Sequence, residues 1–90
     1  MSQTWYVYIL RCKDNSLYTG ITTNVNRRVR EHNTSNTRGA KALRGRRPVQ
    51  LVYSETYDTR SAAQQREAAI KKLSRTEKLH LIKTPRLTPG

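Results

Sequence analysis

Between Tyr6 and Asn33 the chain reads YVYILRCKDNSLYTGITTNVNRRVREHN, with Tyr6, Tyr8 and Tyr18 in strand-like runs and Arg27, Arg28, Arg30 and His32 on the helical run that follows. Strand packing accounts for the tyrosines, because aromatic rings suit a pleated, half-buried surface. It does not account for the cations. On a helix, Arg28 and His32 lie one turn apart and share an arc with Val25 and Val29, whereas Arg27 and Arg30 fall on the opposite side. The first pair borders the face that must pack on a sheet, and the second pair faces water. The plainer account is that Arg28 buries its stem along the core and that His32 is a satisfied, half-buried histidine. Beside strand tyrosines in a basic chain, the two together are candidates for a phosphate site, since phosphoryl transfer depends mostly on positive charge placed around the reacting phosphate.

A carboxylate completes the set. On a later helical run, Ala62, Ala63, Ala69, Ile70 and Leu73 define the packing arc, and Glu67 lies at its edge in a chain with only six acidic residues. An isolated carboxylate among cations commonly balances charge in an ion pair. The sharper chemistry is a divalent-metal ligand, because magnesium takes one or two carboxylates and fills its other positions with water and substrate phosphate oxygens. Asp14, Glu31, Glu55, Asp58 and Glu77 fit turns, caps or solvent-facing positions. Arg66 falls inside the apolar arc, where pairing with Glu67 or a strand carbonyl is expected.

Composition sets the partner. Eighteen lysines and arginines against six acids give a net charge of +12 on 90 residues, a field that attracts polyanions whatever the fold. DNA is the expected partner, with RNA as the alternative. The stretch from His32 to Ser54 holds no acid, and its Arg38, Lys41, Arg44, Arg46 and Arg47 can follow a phosphate backbone without reading bases. The lone Cys12 permits no disulfide framework and suits a reducing compartment. No run approaches the length of a signal or membrane segment, so no membrane role and a cytoplasmic location are expected.

These residues need elements to position them. Trp5–Arg11 is a continuous aromatic and β-branched run, read as a strand covered on both faces. Lys13–Ser16 supply a turn, and Leu17–Ile21 return as the second strand. Thr23 and Asn24 can cap a helix to about Asn33. The AKALRGR segment holds one or two helical turns before Pro48, and Val49–Glu55 is the third strand. Asp58, Thr59 and Ser61 open a helix through Leu73, and Ser74 with Glu77 forms a capping box for a last helix to about Lys83. The pattern is α/β (α+β), ββαβαα: one domain over residues 1–83, a three-stranded sheet flanked by helices, followed by a frayed tail over 84–90.

Tyr6-Val7-Tyr8, Tyr18-Thr19-Gly20 ten residues later, then Arg28, His32 and a helix bearing Glu67 together resemble the GIY-YIG nuclease superfamily, specifically its small stand-alone bacterial members. The resemblance runs from Trp5 to about Ile82. It implies a GIY-YIG-like domain that hydrolyses phosphodiesters with a divalent metal, Mg2+ first and Mn2+ as the alternative. The superfamily includes excision-repair subunits, so structured or damaged DNA and DNA repair come with it. By position, Tyr8 and Tyr18 match the motif tyrosines, Arg28 the arginine, His32 the histidine one turn on, and Glu67 the metal-binding glutamate. A phenolate could then take the proton of the attacking water if its pKa fell below the usual value of about 10, and Arg28, His32 and metal-bound water would favour that charge.

The match has departures. Tyr6 replaces the first motif's glycine, Thr19 the second motif's isoleucine, and Ile21 stands where some relatives carry lysine. The last of these favours a second reading, a non-catalytic or weakly catalytic nucleic-acid-binding module of the same fold. A ribosome-associated structural protein fits the charge but not the ordered Tyr, Tyr, Arg, His, Glu set. Parity supplies a structural test. Side chains alternate along strands, so Tyr8 and Tyr18 share a face only if an odd-length connection or a bulge sets Tyr18 opposite Leu10 or another even-numbered neighbour.

Overall fold

The computed structural model describes residues 3–35 and 38–83, apart from the Arg44 side chain. The tail at 84–90 lies outside the described residues. Three strands, β1 (Trp5–Arg11), β2 (Leu17–Thr22) and β3 (Gln50–Tyr57), form an antiparallel sheet in the order β2-β1-β3. β1 is central, which is why its WYVYILR run is apolar on both sides: Val7, Tyr8, Ile9 and Leu10 are all buried. β3 extends two residues beyond the expected Glu55, because Thr56 and Tyr57 still pair with Tyr6 and Trp5. Its register shifts between Ile9 and Leu10, leaving Val52 as the extra residue of a bulge.

The two faces of the sheet carry different helices. On one face Tyr8, Leu10 and Cys12 pack with Val49, with Val29 of helix α1 (Val25–Thr34) and with Leu43 of a short 3-10 helix (Lys41–Arg46). On the other, Val7 and Ile9 pack with Ala63 and Ile70 of α2 (Arg60–Lys71) and with Leu81 and Ile82 of α3 (Arg75–Lys83). The helix starts are those the capping residues dictate. Asn24 accepts from the Arg27 amide, Thr59 from the Ala62 amide, and Ser74 and Glu77 bond each other's backbone N–H as a capping box. Ala69, expected in the packing arc of α2, is exposed. No helix among the described residues is long and apolar enough to cross a membrane.

Glu55 corrects the sequence reading. It is not an end-of-strand surface acid but is buried on the α2 face, 4 % exposed. Arg66 binds it with a two-point fork, Nε to Oε1 at 2.9 Å and Nη2 to Oε2 at 3.0 Å, and the hydroxyls of Tyr53 and Tyr57 donate to the same carboxylate. Arg66 therefore pairs across to β3, not with its neighbour Glu67. Burial alone would push the Glu55 carboxyl up, but Arg66 and the two phenols outweigh it and the net direction is down. A lowered carboxyl stabilises the fold above the ordinary glutamate range, and that contribution is lost as pH falls through the folded value. Arg66→Ala is expected to cost about 2 kcal/mol, less than a fully buried pair, because the Arg66 side chain is 36 % exposed and partly screened. Urea melts at neutral pH and at about pH 3 check both points: the deficit should shrink in acid.

Candidate active site

The hairpin meets the parity requirement. Arg11 pairs with Leu17, leaving the odd-length connection Cys12–Ser16, and Tyr18 stands opposite Leu10 while Tyr8 stands opposite Gly20. Asn15 takes the left-handed conformation the connection needs, at φ 69°, and Asp14 accepts from the Ser16 amide at 3.0 Å. Both phenols thus lie on the α1 face. A Cβ on Gly20 would sit 2.6 Å from the Tyr8 hydroxyl and 2.8 Å from its Cζ. The Tyr8 ring therefore lies across the backbone of the edge strand, and only glycine at position 20 leaves it that room.

α1 brings the cations. Started by Asn24, it turns Val29 and His32 to the sheet, with His32 fully buried. Arg28 is at the border, its side chain 28 % exposed, while Arg27 is 59 % exposed. His32 touches both phenols. Its Nε2 lies 3.0 Å from the Tyr8 hydroxyl, and its ring meets Tyr18 edge-on at 5.5 Å between centroids. Its Nδ1 accepts from the Ala40 amide at 3.0 Å. A nitrogen that accepts a backbone N–H carries no proton, so in the neutral ring the proton is on Nε2, which donates to the Tyr8 oxygen. Burial and the Arg28 charge push His32 down to about 4, which keeps the ring neutral near pH 7.

The tautomer depends on a glycine. A Cβ on Gly39 would meet the carbonyl oxygens of Glu31 at 2.7 Å and Ser35 at 2.8 Å, so the loop can press onto the end of α1, and present the Ala40 amide, only because position 39 has no side chain. Gly39→Ala is expected to cost about 1–3 kcal/mol by overpacking and to release Nδ1. Imidazole 15N shifts should then show the His32 ring leaving the pure Nε2–H form.

Tyr8 reverses one expectation from sequence. Burial, the largest influence, and Tyr18 raise its pKa, a hydrogen bond and charge from Arg28 oppose them, and Glu67 raises it further, so the phenol is pushed up to about 12. With Tyr8 only 1 % exposed, desolvation of a phenolate outweighs the cation beside it. In the free protein Tyr8 is a neutral phenol whose oxygen accepts from His32. Tyr18 is half-buried on the edge strand, and its hydroxyl makes no hydrogen bond among the described residues.

Glu67 is half-buried on α2, with Lys71 Nζ 3.3 Å from its Oε2, and its charge is felt at Tyr8. The plain ion pair is therefore present, alongside that electrostatic influence on Tyr8. Among the described residues no group of three or more His, Cys, Asp or Glu side chains gathers as a metal cage. One carboxylate is a donor set that fits magnesium, which keeps most of its water, and not a metal that needs several protein ligands.

The basic stretch is not uniform. Arg38 and Lys41 are exposed. Arg46 lies 3.5 Å from Asp14, and Arg47 donates to the Ser35 carbonyl at 2.8 Å, so these two also pin the segment to the hairpin turn and to the end of α1. The Arg44 side chain lies outside the described set. Glu31, read from sequence as solvent-facing, is instead half-buried, its side chain 20 % exposed. It accepts from Arg28 Nη1 at 3.0 Å, with Arg27 at 3.9 Å from its other oxygen, and Arg28 also donates to the Arg38 carbonyl. Its spacing, three residues after Arg28 and four after Arg27, was the available signal.

Comparison with known proteins gives this arrangement a family. Residues 4–80 match the GIY-YIG catalytic domain. A UPF0213 protein of Desulfotalea psychrophila is 58% identical over 79 residues, 88% of this chain and 71% of that protein, and one of Natronomonas pharaonis is 55% identical over 82 residues, 91% and 94% of the two chains. The solution NMR structure of a UPF0213 protein from Bacillus halodurans is similar at a TM-score of 0.56 and 44% identity, covering 89% of this chain and 83% of that one. The chain belongs to the GIY-YIG superfamily, as a nuclease-type domain whose close relatives are the small UPF0213 proteins.

Proposed function

We propose that the protein is a metal-dependent endonuclease that hydrolyses phosphodiester bonds in DNA, structured or damaged DNA included. The observation that carries this reading is the placement of the Tyr8 phenol across Gly20, in contact with His32 Nε2 and Arg28 and within the field of Glu67. In this account Arg28, held in place by Glu31, neutralises charge on the scissile phosphate. Tyr8 stays protonated: its oxygen accepts from His32, which leaves its own O–H to donate to a phosphate oxygen. Tyr18, the more accessible phenol, takes the proton of the attacking water in its phenolate form. Glu67 would hold a divalent cation, which when bound supplies positive charge against the leaving oxygen. Exposed Arg38 and Lys41 add backbone contacts.

One observation favours a binding module without catalysis. Arg28 Nη1 is already engaged by Glu31 and the Arg38 carbonyl, so phosphate must compete for it. Incubation with single-stranded, duplex, flap and branched DNA in Mg2+, Mn2+ or EDTA separates the readings. The endonuclease reading requires metal-dependent cleavage of at least one substrate, and binding without cleavage in every condition would support the module.

A further inference from the structure

Asn24, Arg27, Arg30, Thr34 and Arg38 line an open groove of about 520 Å3 on the outer side of α1, with Glu31 as its single acid. The three arginines are exposed, and Arg30 makes no ion pair among the described residues. Three cations against one carboxylate leave the groove positive. Glu31 also ties it to the active site, because one of its oxygens faces Arg27 and the other accepts from Arg28. The lining holds no aromatic ring, so it offers no platform on which unpaired bases could stack. The Asn24 side chain is spent on the helix cap. What remains is chemistry for phosphate oxygens, which positions a strand without reading it.

We infer that this groove holds backbone phosphates of double-stranded DNA beside the reacting phosphate and orients the duplex on Arg28. The inference rests on the nucleic-acid reading above and places the duplex on α1, apart from the basic side of α2 and α3. It makes predictions of opposite sign. Arg27→Gln with Arg30→Gln should weaken duplex binding and lower the slope of log affinity against log salt by about 1.8, at about 0.9 per phosphate contact. Glu31→Gln, which removes the only acid, should tighten binding.

The test is fluorescence anisotropy of a labelled duplex in EDTA, so that cleavage cannot intervene, across roughly 50–200 mM salt. A charge-matched control, Lys72→Gln with Arg75→Gln, neutralises two exposed cations elsewhere and should change the slope by less than half as much. The inference is overturned if wild type binds but the groove variant keeps the wild-type slope. It is equally overturned if the control loses as much slope, if Glu31→Gln weakens binding, or if a single strand of the same length binds more tightly than the duplex. Failure of the wild type to bind any nucleic acid would overturn both this inference and the proposed function.

Discussion

Arg28→Ala is expected to lower cleavage by about 10³-fold or more while changing duplex affinity by less than about threefold. The guanidinium is partly buried and held by Glu31 and the Arg38 carbonyl, so in the proposed mechanism it acts on the phosphate at the reacting centre and adds little to general attraction. Interactions made mainly in the transition state reduce kcat and kcat/KM together when removed. Arg28→Lys keeps the charge but loses the planar fork, and should recover only part of the rate. Arg27→Ala should show the inverse pattern, weaker binding with the single-turnover rate retained, because Arg27 faces solvent on the other side of the helix. Single-turnover cleavage and anisotropy on the same preparations read both quantities. Equal losses in both assays for both variants would describe a charged patch without a site.

The two phenols are expected to fail differently. Tyr18→Phe removes the proton acceptor and should lower the rate by about 10²–10⁴-fold with little change in stability. Tyr8→Phe removes a neutral donor worth about 10²–10³-fold and leaves the buried His32 Nε2–H without its acceptor, a cost of about 1–3 kcal/mol. His32, pushed down to about 4, should add no inflection near pH 6.5 to the pH profile of cleavage. A stability loss in Tyr18→Phe with none in Tyr8→Phe would reverse the assignment.

Much of this was legible in the sequence because it is local. WYVYILR is the central strand because a run apolar on both faces has no other place in a three-stranded sheet. Asn24, Thr59 and Ser74 mark helix starts because their side chains reach amides within a turn. Arg28 and His32 separate from Arg27 and Arg30 by helical angle alone. What was not legible depends on depth and on distant chain. Glu55 looks like a strand-end acid until Arg66 arrives from α2 to meet it. The cations near Tyr8 are visible in sequence, but its burial is not, and burial decides the direction of its pKa. Gly20 and Gly39 are ordinary turn-compatible residues in sequence, and their need to lack a Cβ comes from a ring and a helix end packed against them.

The central claim, that Glu67 and the tyrosine–arginine face form one metal-dependent hydrolytic site, is tested most directly by the metal dependence of cleavage for wild type and Glu67→Ala. The account predicts wild-type cleavage that rises with Mg2+ and stops in EDTA. It predicts that Glu67→Ala loses cleavage at every Mg2+ concentration while binding duplex as tightly as wild type in EDTA. Cleavage that persists in EDTA, or Glu67→Ala cleaving at the wild-type rate, would contradict it.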